Sequence, residues 1–200
     1  MEQLLALDRE LFLLINGLHT PFWDSVMVFC SAKLTWVPFY IALLLLVWWR
    51  VGWRAMLWFL VGIVVTVLLA DQLSVHLFKN TVQRLRPCHV AEIAQVVHLP
   101  RGHCGGAYGF LSSHAANVFG VALMVSLFAR LRWVTWVVFF WAAIVSYSRI
   151  YMGVHYPGDV LCGALWGLLV GMITFLALRY VYRRWAGRHW KQDARSPLAH

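Results

Sequence analysis

The sequence predicts an all-α membrane protein, a polytopic helical bundle of about five to six transmembrane helices with an N-terminal interfacial helix. Three observations carry this prediction. Hydrophobic residues make up 62% of the 200 residues and charged residues only 12%, about half the roughly 25% of soluble domains. Several apolar runs approach the ~20 residues that a helix needs to cross a bilayer. Basic residues gather beside alternate runs, the asymmetry that distinguishes the two membrane faces. Twelve Trp, twelve Phe and seven Tyr suit a chain with two membrane–water boundaries. The mean hydropathy of +0.69 excludes disorder, coiled coil and collagen-like structure.

The elements follow in chain order. Leu4, Leu7, Leu11, Leu14, Ile15 and Leu18 recur at helical spacing and make an amphipathic stripe. Asn16-Gly17 and Pro21 end it. The apolar piece 22–30 is too short to cross alone; a competing reading joins 22–49 into one tilted span around Lys33. Five spans are predicted at about 34–49, 56–78, 113–129, 133–145 (reaching Ser148-Arg149) and 157–182. No internal repeat, low-complexity stretch or Ser/Pro-rich linker interrupts them. One domain is therefore expected over 1–200, comprising interfacial or short helices (1–33), a transmembrane core (34–183) and a basic cytoplasmic tail (184–200). Glu2 follows Met1 where a signal peptide would place bases, so the internal spans are expected to insert the chain.

Charge predicts orientation. Arg50, Arg54, Arg130, Arg132 and six residues of the tail (Arg179, Arg183, Arg184, Arg188, Lys191, Arg195) all fall on one face of a five-span chain, against Asp193 alone. The positive-inside rule makes that face cytoplasmic. This placement also explains the net charge of +9 by a membrane flank, and nucleic acid is not expected as a partner. The four acids Glu2, Asp8, Glu10 and Asp24, and the connections 79–112 and 149–156, then lie outside. Those two connections hold nearly every residue that looks chemical.

Three pieces stand out there. Lys79 and Arg86 are seven residues apart, about two helical turns, so both cations are expected on one helix face roughly 10 Å apart, with Pro87 ending the helix. Alone, such a pair could simply meet lipid headgroups. Next, Ser112-Ser113-His114 opens an apolar helix. Ser is a preferred N-cap, and the free N–H groups of a first turn bind anions. Finally, His155 and Asp159 at i, i+4 can meet on one helical face, where the carboxylate orients the imidazole as base or nucleophile. Arg149, six residues before His155, supplies a bidentate fork for phosphate. Charged groups at span ends are costly unless they serve a polar cavity.

Together these read Lys79-x6-Arg86-Pro87, Ser112-Ser113-His114 and Ser148-Arg149-x5-His155-x3-Asp159. The pattern resembles the type 2 phosphatidic acid phosphatase family of membrane lipid phosphate phosphatases. That family shows Lys-x6-Arg-Pro, Pro-Ser-Gly-His and Ser-Arg-x5-His-x3-Asp. The first and third motifs match fully. In the second, Leu111 replaces Pro and Ser113 replaces Gly. The resemblance covers residues 79–159.

It implies a two-step reaction without metal or other cofactor. His155 attacks phosphorus to form a phosphohistidine, oriented by Asp159. His114 protonates the leaving oxygen and then activates water. Lys79, Arg86, Arg149, Ser112 and the Ser113 N–H hold the phosphoryl oxygens. Phosphoryl transfer mainly needs such positioning and charge stabilisation, and no carboxylate cluster suited to Mg²⁺ accompanies these residues.

The implied partner is a membrane lipid, most simply undecaprenyl diphosphate at the outer face of a bacterial inner membrane. Lipid A 1-phosphate, phosphatidylglycerol phosphate and phosphatidic acid are alternatives. A non-enzymatic lipid-binding or transport protein is the rival of a different class. The soluble haloperoxidase relatives share these motifs, but five apolar spans argue against that assignment.

Other polar residues are read as structural. Asp71, Gln72 and His76 lie within or near the second span; Cys30 and Cys162 sit in apolar stretches. Trp48, Trp49, Trp53, Trp133, Trp136, Trp185 and Trp190 are expected as interfacial anchors. Cys88 and Cys104 share the outer loop and are expected as a disulfide. A zinc site with His89, His98 and His103 is the alternative, although their spacing matches no common zinc pattern.

Overall fold

The computed structural model describes residues 2–189 and 197–198. Its helices are α1 (Glu2–Gly17), α2 (Pro21–Ser31), α3 (Val37–Leu73), the single turn α4 (Asn80–Val82), α5 (Ser113–Ala129), α6 (Arg132–Tyr151) and α7 (Pro157–His189). The side chains of Trp185 and Arg188, and Trp190, Lys191, Asp193 and Arg195 of the expected tail, lie outside the described residues.

The N-terminal breaks have local causes. Thr20 caps α2 by accepting from the Trp23 N–H (3.3 Å), with Pro21 at the first helical position. At the far end Ala32 is extended (φ −79°, ψ 129°) and terminates α2. The single span 22–49 is thereby excluded. α3 is long because it contains two of the expected spans. Gly52 divides them with φ 76° and ψ 169°, a conformation essentially confined to glycine. The segment Leu34–Val82, Arg132–Tyr151 and Pro157–Arg184 are each long and apolar enough to cross a bilayer, and Ser113–Ala129 is a shorter apolar helix.

α5 is the hub, packed on α3, α6 and α7. Glycine sets its closest approach. Gly163, Gly167 and Gly171 recur every four residues along α7 and face α5. A Cβ on Gly163 would stand 2.4 Å from the Ser112 carbonyl oxygen, and one on Gly167 2.0 Å from that of Ala116. Only bare backbone fits this seam. Leu161, Leu165, Leu169 and Leu176 of α7 are exposed, as lipid-facing positions should be.

The ends of the bundle differ in kind. Arg50 donates to the Ala129 carbonyl at the C-terminus of α5 (3.3 Å). Trp48, Trp49, Trp53, Trp133 and Trp136 are exposed near this end, consistent with a girdle at one boundary. The predicted chemistry lies at the other end of α5, about 25 Å away for 17 residues at 1.5 Å each.

α1 packs on that second end. Phe12 is fully buried, edge-on to Tyr156 (5.3 Å), while Leu4, Leu7, Leu11, Leu14 and Leu18 are exposed. The buried Asn16 donates from Nδ2 to the carbonyls of His98 (2.9 Å) and Tyr151 (2.8 Å), and accepts from the His98 N–H (2.8 Å). Asp24 of α2 accepts from Tyr151 Oη (2.7 Å) and His98 Nε2 (2.9 Å). The long connection 79–112 is thus fastened to both N-terminal helices.

Candidate active site

The path from the second span into the connection 79–112 differs from the sequence expectation. Ser74–Lys79 forms a π-helical turn, a rare geometry often found at functional sites, followed by α4. Gln83 then adopts a left-handed conformation (φ 49°), and Arg86 is extended (φ −67°, ψ 155°). Lys79 and Arg86 therefore do not share a helix face. The chain around Arg86 pairs instead with residues 107–109: the Arg86 N–H donates to the Ala107 carbonyl (2.9 Å), and the Gly109 N–H to that of Arg84 (2.8 Å). Pro87 restricts Arg86 away from helical geometry, and this pairing supplies its hydrogen bond.

Lys79 nevertheless reaches the second motif, donating from Nζ to Ser113 Oγ (2.9 Å), which also bonds Ser74 Oγ (2.8 Å). Ser112 is the N-cap of α5 and fully buried; its Oγ accepts from the Ala115 N–H (3.5 Å). Its own N–H donates to the Asp159 carbonyl (2.9 Å), locking the N-terminus of α5 to that of α7. Leu111, where the family pattern has Pro, is a core residue beside Ala70, Ala116 and Val170.

The third motif turns at Gly153 (φ 74°), where a Cβ would strike the His98 carbonyl at 2.7 Å. Because α7 begins at Pro157, His155 precedes the helix, and the expected pairing with Asp159 on one helical face is not formed. Pro157 disfavours a helical Tyr156. Asp159 folds back toward the turn: Oδ2 accepts from the Tyr156 N–H (3.0 Å) and stands 3.7 Å from His155 Nδ1. That separation suits an ion pair but exceeds hydrogen-bond reach. Burial pushes the His155 imidazole down to about 4, with Asp159 opposing and Arg86 and Arg149 adding to the push.

Arg149, Lys33, His155 and Lys79 all lie within electrostatic reach of His114, and Arg86 within that of His155. The three motifs thus converge around the two histidines. Arg149 donates from Nη1 to Ser31 Oγ at the end of α2. His114 lines a cleft of about 460 Å³ with Ser31, Lys33, Asp71 and Asn117 at its polar end. Trp36, Phe59, Val121 and Trp141 are among the residues that continue it into the bundle as an apolar channel.

Sequence reasoning missed several of these residues. Ser31, Lys33 and Ser74 carried no motif, and Asp71, read as structural, also borders the cleft. It missed Arg84 as well, although it lies inside the first motif. Arg84 donates from Nη1 to Asp159 Oδ1 (2.9 Å) and from Nη2 to Asp8 Oδ2 (2.7 Å), with its guanidinium 4.0 Å over the Tyr156 ring. The interruption of the amphipathic stripe at Asp8-Arg9-Glu10 was the available signal for Asp8.

The connection 79–112 contains a Cys88–Cys104 disulfide with Cα atoms 6.2 Å apart. Cys88, His89 and Cys104 are the one grouping of metal-donor side chains among the described residues. The disulfide engages both sulfurs, while His98 is held by Asp24 and His103 Nδ1 meets the Arg101 carbonyl (3.1 Å). Cys30 is a buried free thiol, and Cys162 is partly buried.

Residues 55–185 match the model of the PAP2 superfamily. The chain belongs to that superfamily. It is 38% identical over 176 residues to a lipid A 4'-phosphatase of Bacteroides thetaiotaomicron, covering 88% of this chain and 78% of the relative. It is 28% identical over 182 residues to an undecaprenyl-diphosphatase of Sulfolobus acidocaldarius, covering 89% and 80%. The crystal structure of Aquifex aeolicus LpxE superimposes with a TM-score of 0.63 at 25% identity, covering 85% of this chain and 95% of that one. This PAP2 protein is a membrane lipid phosphatase, a hydrolase of lipid phosphates.

Proposed function

We propose that this PAP2 enzyme removes a phosphate from a lipid A-type glycolipid. The observation that carries the reading is the 38% identity to a protein named lipid A 4'-phosphatase, over most of both chains. The undecaprenyl diphosphate expected from the sequence has weaker support, 28% identity.

The chemistry follows from the site. Nδ1 of His155 faces Asp159, so Nε2 attacks phosphorus while the phosphorus–oxygen bond to the lipid breaks. His114 gives its proton to the departing oxygen. It then takes one from water, which attacks the phosphohistidine and releases inorganic phosphate. Lys79, Arg86 and Arg149 offset the phosphoryl charge, with Ser112 and the Ser113 N–H at the α5 N-terminus. Arg149 suits this task because its buried Nε has no hydrogen-bond partner among the described residues. The reaction so drawn is metal-independent. We place the enzyme as one domain in a bacterial inner membrane, its basic end cytoplasmic and its site outside. The apolar cleft receives part of the lipid chain, whose burial contributes up to about 0.8 kcal/mol per CH₂.

The test is phosphate release in mixed micelles containing EDTA, comparing a lipid A-type glycolipid, undecaprenyl diphosphate and phosphatidic acid. The highest kcat/KM is expected for the glycolipid. Preference for undecaprenyl diphosphate would restore that reading, and dependence on added divalent metal would overturn the metal-independent reaction.

A further inference from the structure

Asp8 of α1 reaches the N-terminal end of α7. Its Oδ1 accepts from the Gly158 N–H (2.7 Å) and its Oδ2 from Arg84 Nη2 (2.7 Å). The approach depends on Gly158, where a Cβ would stand 2.8 Å from Asp8 Oδ2. Arg84 is itself fixed: its carbonyl accepts from Gly109, and its guanidinium covers Tyr156. The fork therefore has one cation and two carboxylates, Asp8 on one tine and the fully buried Asp159 on the other. Asp159 is held at both oxygens, Oδ1 by Arg84 and Oδ2 by the Tyr156 N–H. Its orientation toward the His155 ring is set jointly by these two bonds.

We propose that Asp8 and Arg84 are positioning residues of the reaction. Arg84, shared between two carboxylates, aligns Asp159 on His155 without drawing off all of its charge, and Asp8 fixes that sharing. This deepens the proposed mechanism and rests on the orienting role given there to Asp159. The physical reason is balance. With Asp8 neutral, the whole Arg84 charge falls on Asp159 and competes with His155 for the same carboxylate. A displaced carboxylate also loses the ring orientation, and misplacement by about 1 Å costs on the order of a hundredfold. The amphipathic helix with its outward leucines thereby contributes a polar group to the catalytic apparatus.

Asp8→Asn separates this role from simple helix capping, because the amide oxygen still accepts from Gly158 while the negative charge facing Arg84 is lost. Phosphoenzyme formation from a lipid phosphate is followed by rapid quench in wild type, D8N, R84Q, the double variant and D159N, alongside thermal midpoints in detergent. The expected result for D8N is a fall in the phosphorylation rate of about tenfold or more, with KM within about twofold and the midpoint near wild type. The double variant should be no slower than R84Q alone, since the pair acts as one unit. Wild-type kcat in D8N, with D159N inactive, overturns the proposal. So do losses in D8N and R84Q that multiply, or a rate loss in D8N accompanied by a matching loss of thermal midpoint. Should R84Q fail to fold, Arg84→Lys, which keeps one cation but not the fork, takes its place under the same criteria. Full turnover by D159N overturns the underlying mechanism instead.

Discussion

His155 Nδ1 stands 3.7 Å from Asp159 Oδ2 and finds no hydrogen-bond partner among the described residues. A small rotation of either group closes this gap, and the phosphorylated imidazole, which carries its proton on Nδ1, has the stronger reason to close it. His155→Ala is expected to be folded and inactive, with no phosphoenzyme. His114→Ala should also fail on lipid substrates, yet should still be phosphorylated by an aryl phosphate whose leaving group needs no proton. Rapid-quench labelling checks both; turnover near wild type in His155→Ala would refute the assignment of the nucleophile.

The depressed His155 basicity predicts a direction with pH. Folded, the ring takes up its proton near 4; unfolded, near the ordinary 6.5. Between those values the unfolded chain binds more protons, so stability is full above about pH 6.5 and declines as pH falls toward 4, by up to about 3 kcal/mol. Thermal midpoints in detergent at pH 7 and pH 4.5 are expected to diverge more for wild type than for His155→Asn. Histidine-selective ¹⁵N NMR should place the ring titration well below 6.

The α5–α7 seam leaves no room for a methyl group. A Cβ at Gly167 would lie 2.0 Å from a backbone oxygen, which no side-chain motion relieves. Gly167→Ala is expected to destabilise by about 1–3 kcal/mol and to lower activity by separating α5, which carries His114, from α7, which carries Asp159. A lowered thermal midpoint together with reduced turnover is the expected reading.

For the connection 79–112, thiol titration without reductant should find Cys88 and Cys104 blocked and Cys30 and Cys162 free after denaturation. A disulfide closing this short loop contributes on the order of 3 kcal/mol in the chain-entropy account. Bound zinc with four free thiols would reinstate the metal alternative.

Substrate chain length should matter through the cleft. Long-chain lipid phosphates are expected to exceed glycerol phosphate in kcat/KM by orders of magnitude. Filling the apolar part with Val121→Trp should lower efficiency far more for the lipid than for glycerol phosphate. Equal efficiency for both substrates in wild type would remove the chain from the account.

Much of this was legible in the sequence because each motif carries its own local rule. Ser112 caps α5 as a serine before an apolar run should, and the spans follow from composition. What was illegible depended on distant or irregular backbone. Spacing suggested a helix face for Lys79 and Arg86, but Gln83 turns left-handed and an interstrand-like pairing with residues 107–109 takes over. The i, i+4 spacing of His155 and Asp159 likewise presumed a helix that Pro157 begins too late to provide. Asp8 and Arg84 are 76 positions apart, and no local periodicity can join them.

The bond from Asp8 to Gly158 spans 150 positions, which bears on the order of assembly. The helix that precedes every span in the chain must wait for the last span before its aspartate finds the Gly158 N–H. A half-inserted chain holds the first two motifs without His155 and Asp159, and its Asp8 has Arg84 but not Gly158 to bind. On the mechanism proposed above, partly built copies are silent toward the lipids around them, and catalysis begins only when the bundle is closed.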